Sequence, residues 1–130
     1  NMSMIYISHD ISVIAEVSDM VGVMYAGKLM EIGQADDVFK RPRHPYTYGL
    51  MHAYPSILGE KRDLATIPGE PPNLMAPPPG CRFNPRCDRA TAECRAVEPP
   101  LVNVGPDHRI ACHNPVWTPS RGGDQVGAAR

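Results

Sequence analysis

Proline is distributed unevenly along this chain of 130 residues, and that distribution limits what the chain can fold into. Residues 1–67 hold three prolines, whereas residues 68–130 hold the other twelve together with all four cysteines. Because proline fixes φ and lacks a backbone N–H donor, the second stretch cannot form long helices or central strands. We therefore predict an α/β segment followed by an irregular Pro/Cys-rich tail, neither with enough apolar residues for a large core of its own.

The apolar periodicity of the first part predicts the order strand, helix, strand, strand, helix, helix. The run Ser-Met-Ile-Tyr-Ile-Ser at 3–8 is rich in β-forming residues, which predicts a buried strand. In the tail, only a short helix around 89–95 is expected. The other predicted elements of the first part are a helix capped by Asp10, strands 20–25 and 28–32 joined at Ala26-Gly27, and helices that begin at Ala35 and Pro45.

The stretch from Gly22 to Lys28 matches the Gly-x4-Gly-Lys part of a phosphate-binding P-loop. The residue that should be Ser or Thr to hold magnesium is Leu29. A P-loop also lies between a strand and a helix, whereas the residues here are β-formers that lead into a second strand. The pattern is therefore interpreted as a hairpin turn, not as a phosphate site.

Composition excludes several classes of function. The formal net charge of −1 leaves no basic footprint for nucleic acid. No apolar run approaches the roughly 18 residues of a membrane span. The first residues lack a charged region before an apolar one, so a secretory signal is not expected.

The four cysteines have the spacing Cys-x5-Cys-x6-Cys-x17-Cys, which is neither the usual zinc-ribbon nor a common ferredoxin spacing. A tail without a hydrophobic core needs disulfide bonds or a bound metal to stabilise its fold. The missing signal sequence favours a metal over disulfides, because cytosolic thiols stay reduced, but spacing alone leaves disulfides or free thiols open. The candidate ligands are Cys81, Cys87, Cys94 and Cys112, with His108 and His113 as spare candidates.

Three stretches together resemble a known family. The segment 4–10, which reads Met-Ile-Tyr-Ile-Ser-His-Asp, with Tyr-Ala-Gly-Lys at 25–28 and Glu-Ile-Gly at 31–33, resembles the end of an ABC-transporter ATPase domain. Arg-His-Pro-Tyr-Thr at 43–47 and the cysteine-bearing tail resemble the oligopeptide/dipeptide importer subfamily and are the more specific part. The resemblance covers residues 3 to about 115.

The resemblance implies that the family's P-loop, glutamine loop, signature sequence and Walker B strand would all precede residue 1. It also identifies His9 as the counterpart of the switch histidine, the catalytic residue that contacts the γ-phosphate in the family. From its position alone, His9 is interpreted more simply as a hydrogen-bonded loop residue. Because phosphoryl transfer depends on P-loop amides, lysine and magnesium, this chain by itself is not expected to hydrolyse ATP.

The resemblance further implies cofactors and partners. Four-cysteine members of the subfamily carry a [4Fe–4S] cluster, so Cys81, Cys87, Cys94 and Cys112 would each give one thiolate, with zinc as the alternative metal. ATP with magnesium would serve the full-length protein. Expected partners are a second ABC ATPase subunit, two membrane permeases and, indirectly, an extracytoplasmic solute-binding protein, at the cytoplasmic face of a bacterial or archaeal membrane.

These expectations divide the chain into four segments. They are an ATPase end at 1–42, a helical extension at 43–67, a metal-binding tail at 68–117 and a disordered terminus at 118–130. The corresponding function is the C-terminal part of an ATP-binding subunit that powers import of peptides or related solutes. A freestanding metal-binding interaction module is the alternative, and an upstream reading frame with a P-loop would distinguish the two.

Overall fold

In a computed structural model, which describes residues 1–54 and 66–116, the chain forms an α/β structure around one four-stranded antiparallel sheet. The strand order is β1-β2-β4-β3, so strands from the first part pair with strands from the tail. The strands are β1 (Met20–Tyr25), β2 (Lys28–Gln34), β3 (Val102–Gly105) and β4 (His108–Ile110). The helices are α1 (Ile11–Val17), α2 (Ala35–Lys40), α3 (Pro45–Ala53) and α4 (Ala92–Ala96), with a 3₁₀ turn at Asn84–Arg86.

The predicted hairpin of β1 and β2 is confirmed. Its turn places Ala26 and Gly27 at φ values of 49° and 78°, the left-handed pair that suits the twist of a two-residue hairpin. The register runs from Met20 opposite Gln34 to Tyr25 opposite Lys28. The stretch that resembles a P-loop is therefore strand and turn, as predicted.

The helix signals of the first part are also confirmed. The Asp10 carboxylate accepts the N–H groups of Ser12 and Val13 at 3.0 and 3.3 Å and so caps α1. Pro45 occupies the first turn of α3, where its missing N–H costs nothing. The end of α3 was expected just before Pro55, which lies outside the described residues.

The prediction of a buried strand at 3–8 is wrong. These residues form neither helix nor strand, and Ile5 and Ile7 are 93% and 92% exposed. A strand is stabilised by ladder hydrogen bonds and by packing on its faces, and no strand among the described residues pairs with this segment. β-Propensity alone therefore does not fold it.

The expectation of an irregular tail is also wrong in part. Val102–Gly105 and His108–Ile110 form a short hairpin, and β4 pairs with β2 at Glu31 and Ile32. The tail helix is confirmed but shorter than expected, with the Thr91 hydroxyl accepting the N–H of Cys94. The predicted terminus at 118–130 lies outside the described residues.

Two groups of buried side chains fill the interior. The first, here called the proximal core, lies between the β1–β2 hairpin and the helices of the first part. The second, the thiol core, joins the same hairpin to the cysteine-bearing tail. The proximal core comprises Val21, Val23, Val38, Phe39 and Met51, and the thiol core comprises Tyr25, Met30, Cys81, Phe83 and Cys94. No helix in the described part of the chain is long and apolar enough to cross a membrane.

Candidate functional site

The cysteine-bearing loops are brought together by a glycine. Gly80 has φ of +72°, and a Cβ on it would lie 2.3 Å from the carbonyl oxygen of Cys94. Only glycine allows so close an approach of two backbones. The N–H of Cys81 then donates to that same carbonyl oxygen at 2.8 Å, which fixes two predicted ligands side by side.

All four cysteines are free thiols; Cys81 and Cys94 share the thiol core, and Cys87 packs against it. Burial is the main cause that raises the pKa of Cys112 to about 12, and the charges of Cys81, Cys87 and Cys94 add to it. Burial likewise raises the pKa of the Cys81 and Cys87 thiols, and in both cases Cys94 contributes through its charge. Without a cation, these thiols stay protonated at neutral pH.

The backbone next to three of the cysteines partly offsets the effect of burial on their pKa: Phe83 does so at Cys81, Arg89 at Cys87 and Asn114 at Cys112. Of these groups, the Asn114 N–H donates to the Cys112 sulfur at 3.3 Å. The fourth sulfur, that of Cys94, lies 3.2 Å from the Thr91 hydroxyl. Donors aimed at sulfur favour its negative form, which is the form that binds a metal.

The described residues contain no group of three or more His, Cys, Asp or Glu side chains already arranged to hold a metal ion. The donor set is nevertheless chemically suited to a thiolate-bound centre, because Cys81 and Cys94 are buried in one core, Cys87 packs against it, and the Cys112 sulfur accepts the Asn114 N–H. The spare candidates have other partners. His108 lies 2.6 Å from a carboxylate oxygen of Glu31, and Nε2 of His113 lies 2.8 Å from the Val97 carbonyl oxygen.

Arginine and asparagine side chains tie the cysteine loops to their surroundings. The Arg86 guanidinium donates to the Pro68 carbonyl oxygen at 2.9 Å and to the Tyr25 hydroxyl at 3.3 Å. The Asn114 amide donates to the Arg89 carbonyl oxygen at 3.0 Å, while Arg89 donates back to Asn114. The loop that carries Cys87 is therefore joined to the segment that follows Cys112.

Sequence reasoning missed a buried polar centre, which we call the Glu31 hub. Its carboxylate is fully buried and accepts the backbone N–H groups of Arg43 and His44, each at 2.9 Å, in addition to its contact with His108. Gly33 lies two residues after Glu31 on the same face of β2. Because it has no side chain, it leaves room for the His108 ring, and a Cβ added to Gly33 would lie 3.2 Å from that ring. The hub therefore joins β2, the segment before α3 and β4.

His44 extends the hub to α3. Its Nδ1 accepts the N–H of Tyr46 at 3.0 Å, so the imidazole caps the helix as Asn or Ser commonly would. Burial lowers the pKa of His44 to about 4, although the charge of Glu31 and the backbone of Ala111 oppose that shift. Nε2 is buried and has no hydrogen-bond partner among the described residues. The ring is neutral at pH 7.

His9 lies away from both groups. It is exposed in a groove that residues 8–54 line, and none of the cysteines lines that groove. Ser8 and Asp10 form a local turn beside it, in which the Asp10 N–H donates to the Ser8 hydroxyl at 3.0 Å. The structure thus places His9 on the surface of the first part, with an apolar groove at its side.

Most of the second strand of the hairpin, the His-Pro-Tyr-Thr segment and three of the four cysteines all lie within a range that matches a known family. A family model described as "Oligopeptide/dipeptide transporter, C-terminal region" matches residues 30–94, half of the chain. The chain therefore belongs to the oligopeptide/dipeptide transporter family, as its motifs suggested. The matched range includes Glu31 and three of the cysteines.

Individual relatives agree. The chain is 47% identical to the oligopeptide transport ATP-binding protein of Salmonella typhimurium over 116 aligned residues. These residues cover 89% of this chain and 34% of the relative. It is 39% identical over 112 residues to the dipeptide transport ATP-binding protein of Caldanaerobacter subterraneus subsp. tengcongensis, covering 86% and 34%. The chain spans about one third of the length of these relatives.

Proposed function

We propose that this chain is the C-terminal part of an ATP-binding subunit that powers ABC-type import of peptides or related solutes. Family membership and the names of the relatives, oligopeptide and dipeptide transport ATP-binding proteins, support this proposal. The complete subunit would use ATP with magnesium and pair with a second ATPase subunit. It would work beneath two membrane permeases on the cytoplasmic face, supplied by an extracytoplasmic solute-binding protein.

We further propose that Cys81, Cys87, Cys94 and Cys112 hold a metal centre, a [4Fe–4S] cluster in preference to zinc. The observation that carries this proposal is the packing of the thiols: Cys81 and Cys94 are buried in one core, Cys87 packs against it, and the Cys81 N–H donates to the Cys94 carbonyl oxygen at 2.8 Å. When bound, the centre would supply crosslinks between chain segments and hence folding free energy. The chain's own residues would exclude water, and the Asn114 N–H would donate to the Cys112 sulfur.

The metal proposal is tested by purifying the chain without oxygen and measuring its visible spectrum, iron, sulfide and zinc on one sample. We expect a brown protein with about four irons per chain. A colourless protein with about one zinc would keep the four-thiolate site and replace the cluster. No metal at all would refute the site.

Single variants locate the ligands. Each of the four Cys→Ser changes should lower the metal content strongly, because a hydroxyl is a poor ligand for these metals. The matched control is His113→Ala, which removes a nearby metal-binding residue type whose Nε2 already contacts the Val97 carbonyl oxygen. Unchanged metal in all four serine variants, or a loss in the control equal to theirs, would contradict the assignment.

His9 is proposed as the switch histidine of the complete subunit, where an imidazole near the γ-phosphate would stabilise developing charge. His9→Ala in that subunit should lower ATP turnover by roughly 10²-fold or more with little change in ATP binding. His52→Ala is the control, because His52 lies in the last turn of α3 with its Nδ1 2.7 Å from the Tyr48 carbonyl oxygen. Equal turnover in the two variants would refute the role of His9.

A further inference from the structure

The loop between Cys81 and Cys87 joins two candidate metal ligands to the interior. Phe83, two residues after Cys81, is only 3% exposed, and its ring lies in the thiol core together with Cys81 and Cys94. One residue of the loop is therefore buried in the same core as two proposed ligands.

The Phe83 ring contacts the first part of the chain at two elements. Its centroid lies 5.3 Å from that of Tyr25, the last residue of β1, in an edge-to-face arrangement at 82°. It lies 5.3 Å from the ring of Tyr46 in α3 and 6.1 Å from that of His44. Such aromatic pairs stabilise the packing beyond the area that they bury.

The same loop holds Tyr25 from a second side. The Arg86 guanidinium lies 6.0 Å from the Tyr25 ring centroid and donates to its hydroxyl. Arg86 immediately precedes Cys87, as Phe83 closely follows Cys81. Tyr25 is therefore held between two side chains whose backbones are anchored at the two cysteines.

We infer that the Cys81–Cys87 loop transmits the state of the thiol site to the β1–β2 hairpin and α3 through Phe83 and Arg86, so that loss of metal loosens both elements. This inference rests on the proposed metal centre. Metal binding would fix both ends of the loop, so the Phe83 ring and the Arg86 guanidinium would lose less entropy when they pack on Tyr25.

The test is hydrogen exchange by mass spectrometry on the whole chain, metal-loaded and after anaerobic removal of the metal by a chelator. In the wild type, peptides covering 20–34 and 45–53 should exchange about tenfold faster without metal. In Phe83→Ala, exchange should already be fast with metal bound, and removal should change it little. Phe83→Leu, which keeps an apolar side chain in the thiol core, should give the same pattern if the alanine variant does not fold.

Phe39→Ala is the matched control, since Phe39 is the only other phenylalanine and is buried in the proximal core. It should speed exchange in the hairpin but leave the metal-dependent difference intact. Metal content is measured on every sample. If the loaded wild type holds its full metal content but exchanges at the same rate as the stripped wild type, this inference alone is overturned. It is also overturned if both Phe83 variants keep the whole metal-dependent difference in exchange rate. A wild-type chain that holds no metal overturns the proposed centre as well.

Discussion

The proximal core draws its five buried side chains from residues 21–51, whereas the thiol core joins Tyr25 and Met30 to residues 81–94. In the proximal core, apolar side chains recur with strand and helix periods and are buried by nearby elements. In the thiol core, two cysteines and two aromatic rings meet across more than fifty residues of sequence. Neighbouring polar contacts, the Glu31 hub and the Arg86 hydrogen bonds, complete that connection.

The difference indicates how each core fails. Apolar packing degrades gradually, because each buried Val, Leu or Phe contributes about 1.5–3 kcal/mol. Buried polar contacts fail abruptly, because removing one partner leaves the others without hydrogen bonds in a desolvated place. The connection between the tail and the first part should therefore be most sensitive at a few polar and glycine positions.

Glu31→Ala is the substitution with the largest expected effect. It leaves the N–H groups of Arg43 and His44 and the imidazole of His108 without their acceptor, all in the interior. We expect a loss of about 3–5 kcal/mol in the free energy of unfolding, measured by urea denaturation. Glu16→Ala, on the exposed face of α1, is the control. A loss no larger than that of the control would show that the hub does not join the two parts.

Gly80→Ala should rank next. The added Cβ would meet the Cys94 carbonyl oxygen at 2.3 Å, and the residue would also be strained at φ of +72°. The combined loss should be about 3 kcal/mol, with a parallel loss of bound metal. Gly27→Ala is the matched control, because Gly27 has a similar φ of +78° but nothing within 4 Å of its Cβ position. That control should lose only about 1 kcal/mol and keep its metal. Equal losses would mean that the close approach at Gly80 is unimportant.

These two cores also show how much the sequence can predict. The hairpin, the Asp10 cap and the start of α3 were predicted correctly because local signals agree with the tertiary structure at those points. The prediction of a strand at 3–8 was wrong, because a strand is stable only when it pairs with neighbouring strands, and the local sequence pattern does not show whether such strands are present.

The tail hairpin was missed for a related reason. Strands of four and three residues are at or below the shortest length at which alternation is informative. The turn signal Gly-Pro-Asp at 105–107 was present, and Asp107 does adopt a φ of 51°. The Glu31 hub was missed because its partners lie 12, 13 and 77 residues away along the chain. A lone carboxylate within an apolar strand, two residues before a glycine, was the available signal.

The pH dependence of stability should report on His44. Because burial lowers its pKa from 6.5 to about 4, the unfolded chain binds a proton there more readily than the folded chain. Stability should therefore be full above pH 6.5 and fall as the pH drops from 6.5 to 4, by about 3 kcal/mol at most.

The comparison that isolates this effect is His44→Asn, measured by denaturant unfolding at several pH values. Asparagine still offers an acceptor for the first turn of α3 but does not titrate. The variant should lose most of the pH slope between 4 and 6.5 that the wild type shows. His52→Asn, at the other end of the same helix, should keep that slope. A slope that survives in His44→Asn would assign the pH dependence to other groups of the hub.

The smallest effect is expected at the Lys28–Glu98 ion pair, which also bridges the hairpin and the tail. The Lys28 ammonium lies 2.9 Å from the Glu98 carboxylate, but the two side chains are 43% and 54% exposed. Solvent and salt screen such a pair, and holding two long side chains together costs entropy. Glu98→Gln should therefore leave the urea midpoint unchanged within error, at both low and high salt. A clear loss of stability at low salt that vanishes at high salt would show that surface charge also joins the tail to the hairpin, and that the Glu31 hub and the thiol core do not hold it alone.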